Sequence, residues 1–154
     1  MTQDEIRAFF ARHPRVHVQV AARDDGSPAI AWGDTFVFVR DESGAVRKMP
    51  FATIVTKDYA GFDVESQLDR DGAFRLNLDV GRETFAALFG FPPKELDQHR
   101  DAFDFAARDR CFPHPVYGPQ GWVSIVAPTS ASTAQTESLM THALDRALAR
   151  ATTT

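Results

Sequence analysis

The stretch AFRLNLDV, residues 73–80, sets Phe74, Leu76 and Leu78 against Arg75, Asn77 and Asp79 in strict alternation. Side chains of an extended chain point to opposite faces at every second residue, so this period marks a strand with one apolar and one polar face. Such a strand needs neighbours, and the flanking sequence supplies them. RVHVQVAA (15–22) alternates Val16, Val18 and Val20 with His17 and Gln19. AIAWGDTFVFVRD (29–41) reads as a second strand, bent at Gly33, and FATIVTKDY (51–59) as a third, rich in β-branched residues. The turns RDDGSP and DESGAVRKMP separate them, which points to an antiparallel meander. GWVSIVAP (121–128), stopped by Pro128, is a fifth strand.

Helical periodicity appears at both ends and in the middle. TQDEIRAFFARHP carries Thr2 or Asp4 as a cap, Ile6, Phe9 and Phe10 at helical spacing, and Pro14 as a stop. GRETFAALFG places Phe85, Leu88 and Phe89 on one stripe and ends in Gly90, a C-cap residue. FPPKELDQHRDAFDFAARD has room for one more short helix after its prolines. The C-terminal segment aligns Leu139, Met140, Ala143, Leu144, Ala147 and Leu148 on one face of an amphipathic helix, with the last few residues frayed. The expected fold is therefore α+β: a mostly antiparallel five-stranded sheet with N-terminal, middle and C-terminal helices, forming a single domain over residues 1–154.

Composition narrows the functional classes. A chain of 154 residues with 44% hydrophobic residues and 13 phenylalanines can build a core without staples. Its 17 Lys and Arg against 21 Asp and Glu give a net charge of -4, so nucleic acid is disfavoured as a partner. The single cysteine, Cys111, excludes an internal disulfide and fits a reducing, cytoplasmic setting. No basic-then-apolar leader opens the chain and no long apolar run interrupts it, so neither secretion nor a membrane partner is expected.

No HExxH, HxxxH, P-loop, GxGxxG or GxSxG pattern occurs, so the sequence implies no metal and no cofactor. Cys111 and His114 form a local CxxH pair, but a lone cysteine commonly serves as a small apolar core residue. The polar strand face is richer. Arg75 and Asn77 share it, and Lys57, Asp58 and Tyr59 end the neighbouring strand. These cations beside Asp58, Asp69 and Asp71 either bind a carboxylate or phosphate or neutralise one another on a solvated surface. His114 and Tyr117, in the proline-rich stretch CFPHPVYGPQGW (111–122), are loop pins, a pocket rim, or both. Trp32, beside Gly33 and Asp34, and Trp122 either pack the sheet or wall a ligand site.

The blocks IAWGDTF, FATIVTKDY, FRLN and HPVYGPQGW resemble a family of small bacterial proteins, mainly actinobacterial, grouped as a domain of unknown function. The resemblance runs from about Asp4 to about Arg150 and brings no activity with it. The order of helix, meander, GW strand and closing helix is more distantly similar to MmcQ/YjbR-like domains, which implies a compact domain with a curved antiparallel sheet. Some relatives of that layout are DNA-binding-like, whereas the acidic balance of this chain departs from that pattern.

Three functional expectations follow, the third being a nucleic-acid-binding-like domain with a local basic groove despite the net charge. The first is a binding module, a monomer or homodimer that holds an anionic small molecule or a protein partner. Its candidate residues are Trp32, Asp34, Lys57, Asp58, Tyr59, Arg75, Asn77, His114 and Tyr117. The second is an enzyme with His114 as general acid or base, Asp34 or Asp58 orienting it and Arg75 stabilising negative charge.

Overall fold

A computed structural model describes residues 1–152. Helix α1 (Gln3–Ala11) begins at Thr2, whose side chain accepts from the Glu5 amide while Glu5 reaches back to the Thr2 amide, a complete capping box. Strands β1 (Val16–Val20), β2 (Thr35–Val39), β3 (Ala52–Val55) and β4 (Arg75–Asp79) follow, then helices α2 (Gly81–Phe89) and α3 (Leu96–His99). Strands β5 (Cys111–Pro113) and β6 (Trp122–Val126) and helix α4 (Thr133–Thr152) come last among the described residues. The fraying expected of the last residues falls outside the described range.

The sheet has six strands, not five, in the order β1-β2-β3-β4-β6-β5, and every pairing is antiparallel. The additional strand is β5, three residues long, at the edge beside β6. Its brevity and its proline hide it from periodicity, because Pro113 lacks an amide hydrogen and suits only an edge. The bend expected at Gly33 is larger than a kink: residues 29–31 form a turn of 3-10 helix, and the second strand starts only at Thr35. Gly90 does close α2, with a φ of 84°.

One sheet face is the core. Val37 lies opposite Ala52, Ala52 opposite Leu78 and Leu78 opposite Val123, and a parallel row joins Ile54, Leu76 and Ile125. Ile6 and Phe10 of α1, Phe85 of α2, and Leu139, Met140, Ala143 and Ala147 of α4 close over these rows. Leu144 and Leu148, expected on the same helix face, sit at its margin and are only partly buried. No helix among the described residues is long and apolar enough to cross a membrane.

The other face departs from expectation most. Instead of lying in solvent, it is roofed by the connection from β3 to β4 and by the segment leading into β6. A second apolar cluster of Leu68, Ala73, Phe105, Phe112 and Val126 packs at one end of it. Strand β4 is therefore enclosed on both sides, and Arg75 is 0% exposed.

Candidate functional site

Register builds the site. Across the roofed face, Phe36, Thr53, Asn77, Ser124 and Phe112 lie side by side on five successive strands. Thr53, Asn77 and Ser124 are thus cross-strand neighbours, close enough for side-chain hydrogen bonds. Ser124 Oγ donates to Asn77 Oδ1 at 2.7 Å, and Asn77 Nδ2 donates to Thr53 Oγ1 at 3.0 Å. Arg75, two residues away on the same face, donates from Nε to Asn77 Oδ1 at 2.7 Å.

The guanidinium then meets the roof. Its Nη1 donates to Asp63 Oδ1 at 3.0 Å and to Ser66 Oγ at 2.9 Å, and its Nη2 donates to Asp63 Oδ2 at 2.5 Å. This two-pronged pairing is the geometry in which arginine binds a carboxylate best. Asp63 reaches it because residues 59–63 form a tight turn, with the Tyr59 amide donating to Asp63 O at 2.9 Å and the Asp63 amide to Tyr59 O at 2.8 Å. Asp58 fixes the far end of the same connection by accepting from the Leu68 amide at 2.8 Å.

Asp34 anchors a separate cluster. It is fully buried, and its Oδ1 accepts from the Thr56 amide at 2.9 Å, Thr56 Oγ1 at 2.8 Å and Lys57 Nζ at 3.1 Å. Its Oδ2 accepts from the Tyr59 hydroxyl. Burial, and then the hydrogen bond to the Asp34 carboxylate, push the Tyr59 phenol well above its ordinary value. Lys57 also donates to the Trp32 carbonyl at 2.9 Å, and the Trp32 indole donates to Ser27 O at 2.9 Å. Asp34, Lys57 and Trp32 thereby tie the turn before β2 to the end of β3.

His114 follows β5 and is 3% exposed. Its Nδ1 faces two backbone donors, Val116 N at 3.0 Å and Tyr117 N at 2.9 Å, while its Nε2 lies 3.2 Å from Arg75 Nη2. A neutral imidazole has one ring nitrogen able to accept, and three donors address this ring. The two backbone amides outweigh the single, longer approach of a guanidinium whose other hydrogens are bonded, because an unmet buried amide is costly. The lone pair therefore sits on Nδ1 and the proton on Nε2, beside another donor. Burial, and secondarily the Arg75 charge, hold the imidazole well below its ordinary pKa.

A pH dependence follows. Below about pH 6.5 the unfolded chain takes up a proton at this histidine that the folded chain refuses, so stability falls with pH there. The group contributes a slope of up to about 1.4 kcal/mol per pH unit. His114→Asn keeps an acceptor for the two amides but does not titrate. Urea denaturation at pH 7.5 and 5.5 should show a larger loss for the wild type than for this variant, and equal losses would refute the assignment.

Over the row lies a cavity of about 490 Å³, with Thr53, Asn77, Asp63 and His114 among its polar lining and Trp122 and Tyr117 among its aromatic walls. Tyr117 is 43% exposed and stands between His114, at 4.9 Å between ring centres, and Phe62, at 6.0 Å. Of the residues singled out from sequence, Tyr59, Asn77, His114 and Tyr117 line this cavity, and Arg75 lies in contact with His114 beneath it. Trp32, Asp34, Lys57 and Asp58 are outside its lining. Neither Asp34 nor Asp58 hydrogen-bonds His114, whose Nδ1 is taken by the chain itself.

Thr53, Asp63, Ser66 and Ser124 were missed by the sequence reading. Thr53 and Ser124 could have been found by setting the alternation of adjacent strands in register. Asp63 and Ser66 carry no such signal, since they come from a connection without periodicity. Cys111 holds a thiol that burial pushes up to about 12, which removes it as a nucleophile near neutral pH. A larger groove, about 610 Å³, lies beside α4, but its Asp79 is already paired with Arg146 and Arg150 at 3.0 Å each. Among the described residues no group of three His, Cys, Asp or Glu side chains converges as a metal site.

Comparison with known proteins gives a family without an activity. The family model described as "Family of unknown function (DUF6194)" matches residues 1–154, and the chain belongs to that family. No curated protein and no solved structure matches it.

Proposed function

We propose that this protein is a small-molecule binding module whose site is the cavity on the roofed face of the sheet. The observation that carries this reading is the polar row beneath the cavity. Burying an arginine, an asparagine, a serine and a histidine costs desolvation that apolar residues of similar volume would avoid. That cost is met here beside a concave, aromatic-walled space, the usual setting of a ligand site.

Charge argues for a neutral ligand over the anion expected from sequence. Lys57 is spent on Asp34 and Arg75 on Asp63, so neither cation offers net positive charge to the cavity. The enzymatic reading draws less support. A histidine whose Nδ1 is filled by backbone amides lacks the carboxylate partner that a general base uses. It is better suited to donate a hydrogen bond than to move a proton.

Val55 lines the cavity, is partly exposed and borders the second apolar cluster, so Val55→Trp can fill the space without entering the main core. In a ligand-observed NMR screen of small aromatic fragments, hits on the wild type should lose their signal on Val55→Trp. Hits that persist unchanged on the folded variant would place binding elsewhere and defeat the proposal.

A further inference from the structure

The row of polar side chains under the cavity has a direction. Asn77 Oδ1 accepts from Arg75 Nε, which fixes the amide orientation, and Ser124 must then donate to the same oxygen. Asn77 Nδ2 in turn donates to Thr53 Oγ1. The Thr53 hydroxyl, having accepted, keeps its own proton for another partner, and none of the hydrogen bonds of the network uses it. The same holds on the His114 side. With Nδ1 accepting from two amides, Nε2 carries hydrogen, and its near polar neighbour, Arg75 Nη2, is a donor.

The acceptors of the row are each engaged by a donor of the network. Both oxygens of Asp63 receive Arg75, and Asn77 Oδ1 receives two donors. The row itself offers an occupant a pair of donors, the Thr53 hydroxyl and His114 Nε2–H, under walls that include Trp122 and Tyr117, and the lining adds the exposed Gln120. Tyr117 and Trp122 stand 6.4 Å apart between ring centres, and His114 and Trp122 also 6.4 Å, so flat apolar surface borders the donors.

We infer that the cavity selects an uncharged carbonyl compound with a flat apolar body, its oxygen accepting from Thr53 and His114 and its body lying against Tyr117 and Trp122. This specifies the ligand class of the site proposed above and rests on that reading. A primary ammonium group would bring donors to donors and is rejected. A carboxylate can accept the same hydrogen bonds but must give up its hydration beside an Arg75–Asp63 pair that offers no net positive charge, which weakens it. A hydrocarbon of the same shape gains the walls and leaves both donors unmet.

Four probes of one size separate these cases: acetophenone, ethylbenzene, benzylamine and benzoate, each titrated into 15N-labelled protein and followed by amide and histidine ring shifts. Acetophenone should bind about fivefold or more tighter than ethylbenzene, the yield of one net hydrogen bond. Benzoate should bind more weakly than acetophenone, and benzylamine should give no saturable shift. The His114 ring signals should report hydrogen on Nε2, before and after addition. Thr53→Val should abolish the preference of ketone over hydrocarbon. If that variant does not fold, the four probes on the wild type decide. Benzylamine binding as well as acetophenone, or ketone and hydrocarbon binding equally, would overturn the ligand class while leaving the cavity as a site. Shifts confined to residues away from the cavity would overturn both.

Discussion

In equilibrium denaturation Arg75→Ala should lose about 3–5 kcal/mol, the cost of removing one member of a buried ion pair. The magnitude comes from what is left behind more than from what is removed. Without the guanidinium, the Asp63 carboxylate keeps its place under the roof with neither of its two hydrogen bonds, and Asn77 Oδ1 loses one of its two donors. Arg75→Lys should rescue little, because a single ammonium cannot span Asp63, Ser66 and Asn77 as the planar fork does. The double variant Arg75→Met with Asp63→Leu should be more stable than Arg75→Met alone, since it removes the stranded charge together with its partner. A loss below about 1 kcal/mol for Arg75→Ala, the range of an exposed ion pair, would mean that this face is solvated after all.

Gly121→Ala should be comparably damaging, by about 2–5 kcal/mol, for reasons of backbone shape. Gly121 has a φ of +92°, and a Cβ placed on it would meet the Gly81 carbonyl carbon at 2.9 Å and the Gly81 Cα at 3.1 Å. The left-handed conformation alone costs a side chain about 1–2 kcal/mol, and forcing atoms into a packed contact adds about 1–3 kcal/mol. The neighbour cannot yield by changing rotamer, because it is backbone at the start of α2, where the Val80 and Gly81 amides both donate to Gly121 O at 3.2 Å. Gly72→Ala is the control. It has a φ of +68° and open space where the Cβ would go, so it should show the conformational cost alone. Thermal or urea denaturation of both variants separates the two contributions, and equal losses would remove the close approach from the account. Gly121 precedes Trp122 directly, so a displaced Gly121 backbone should also weaken fragment binding in the cavity.

How much of this was legible in the chain depends on where each residue draws its position. Alternation in AFRLNLDV fixes Arg75 and Asn77 on one face because strand geometry allows no other outcome. The amphipathic pattern of α4 and the capping residues of α1 are equally local, and the structure reproduces them. Whether the polar face of β4 meets water is not local. It is decided by the path of the connection between β3 and β4, whose anchors, Asp58 on the Leu68 amide and Arg70 on the Ser66 and Ala106 carbonyls, have no periodicity to read. For the same reason Asp63, the partner Arg75 uses, was invisible, while Asp58, Asp69 and Asp71, nearer in the sequence-based picture, make no hydrogen bond to it.

The stretch CFPHPVYGPQGW illustrates the mixed case. Its prolines and glycines announce a rigid corner, and the chain does turn there on Gly121. The hydrogen bonds from the Val116 and Tyr117 amides to the His114 ring make the histidine a pin of that corner, and the same bonds turn its other nitrogen into a donor beside the cavity. Loop pin and pocket wall are two consequences of one arrangement.

Soaking crystals of the wild type with an aromatic fragment library measures the central claim most directly, since it shows where ligands settle without assuming their identity. Fragments should settle over Thr53 and His114, against Tyr117 and Trp122, with an oxygen within hydrogen-bond distance of the Thr53 hydroxyl or His114 Nε2. Fragments that collect in the groove beside α4 and leave the cavity empty would contradict the account.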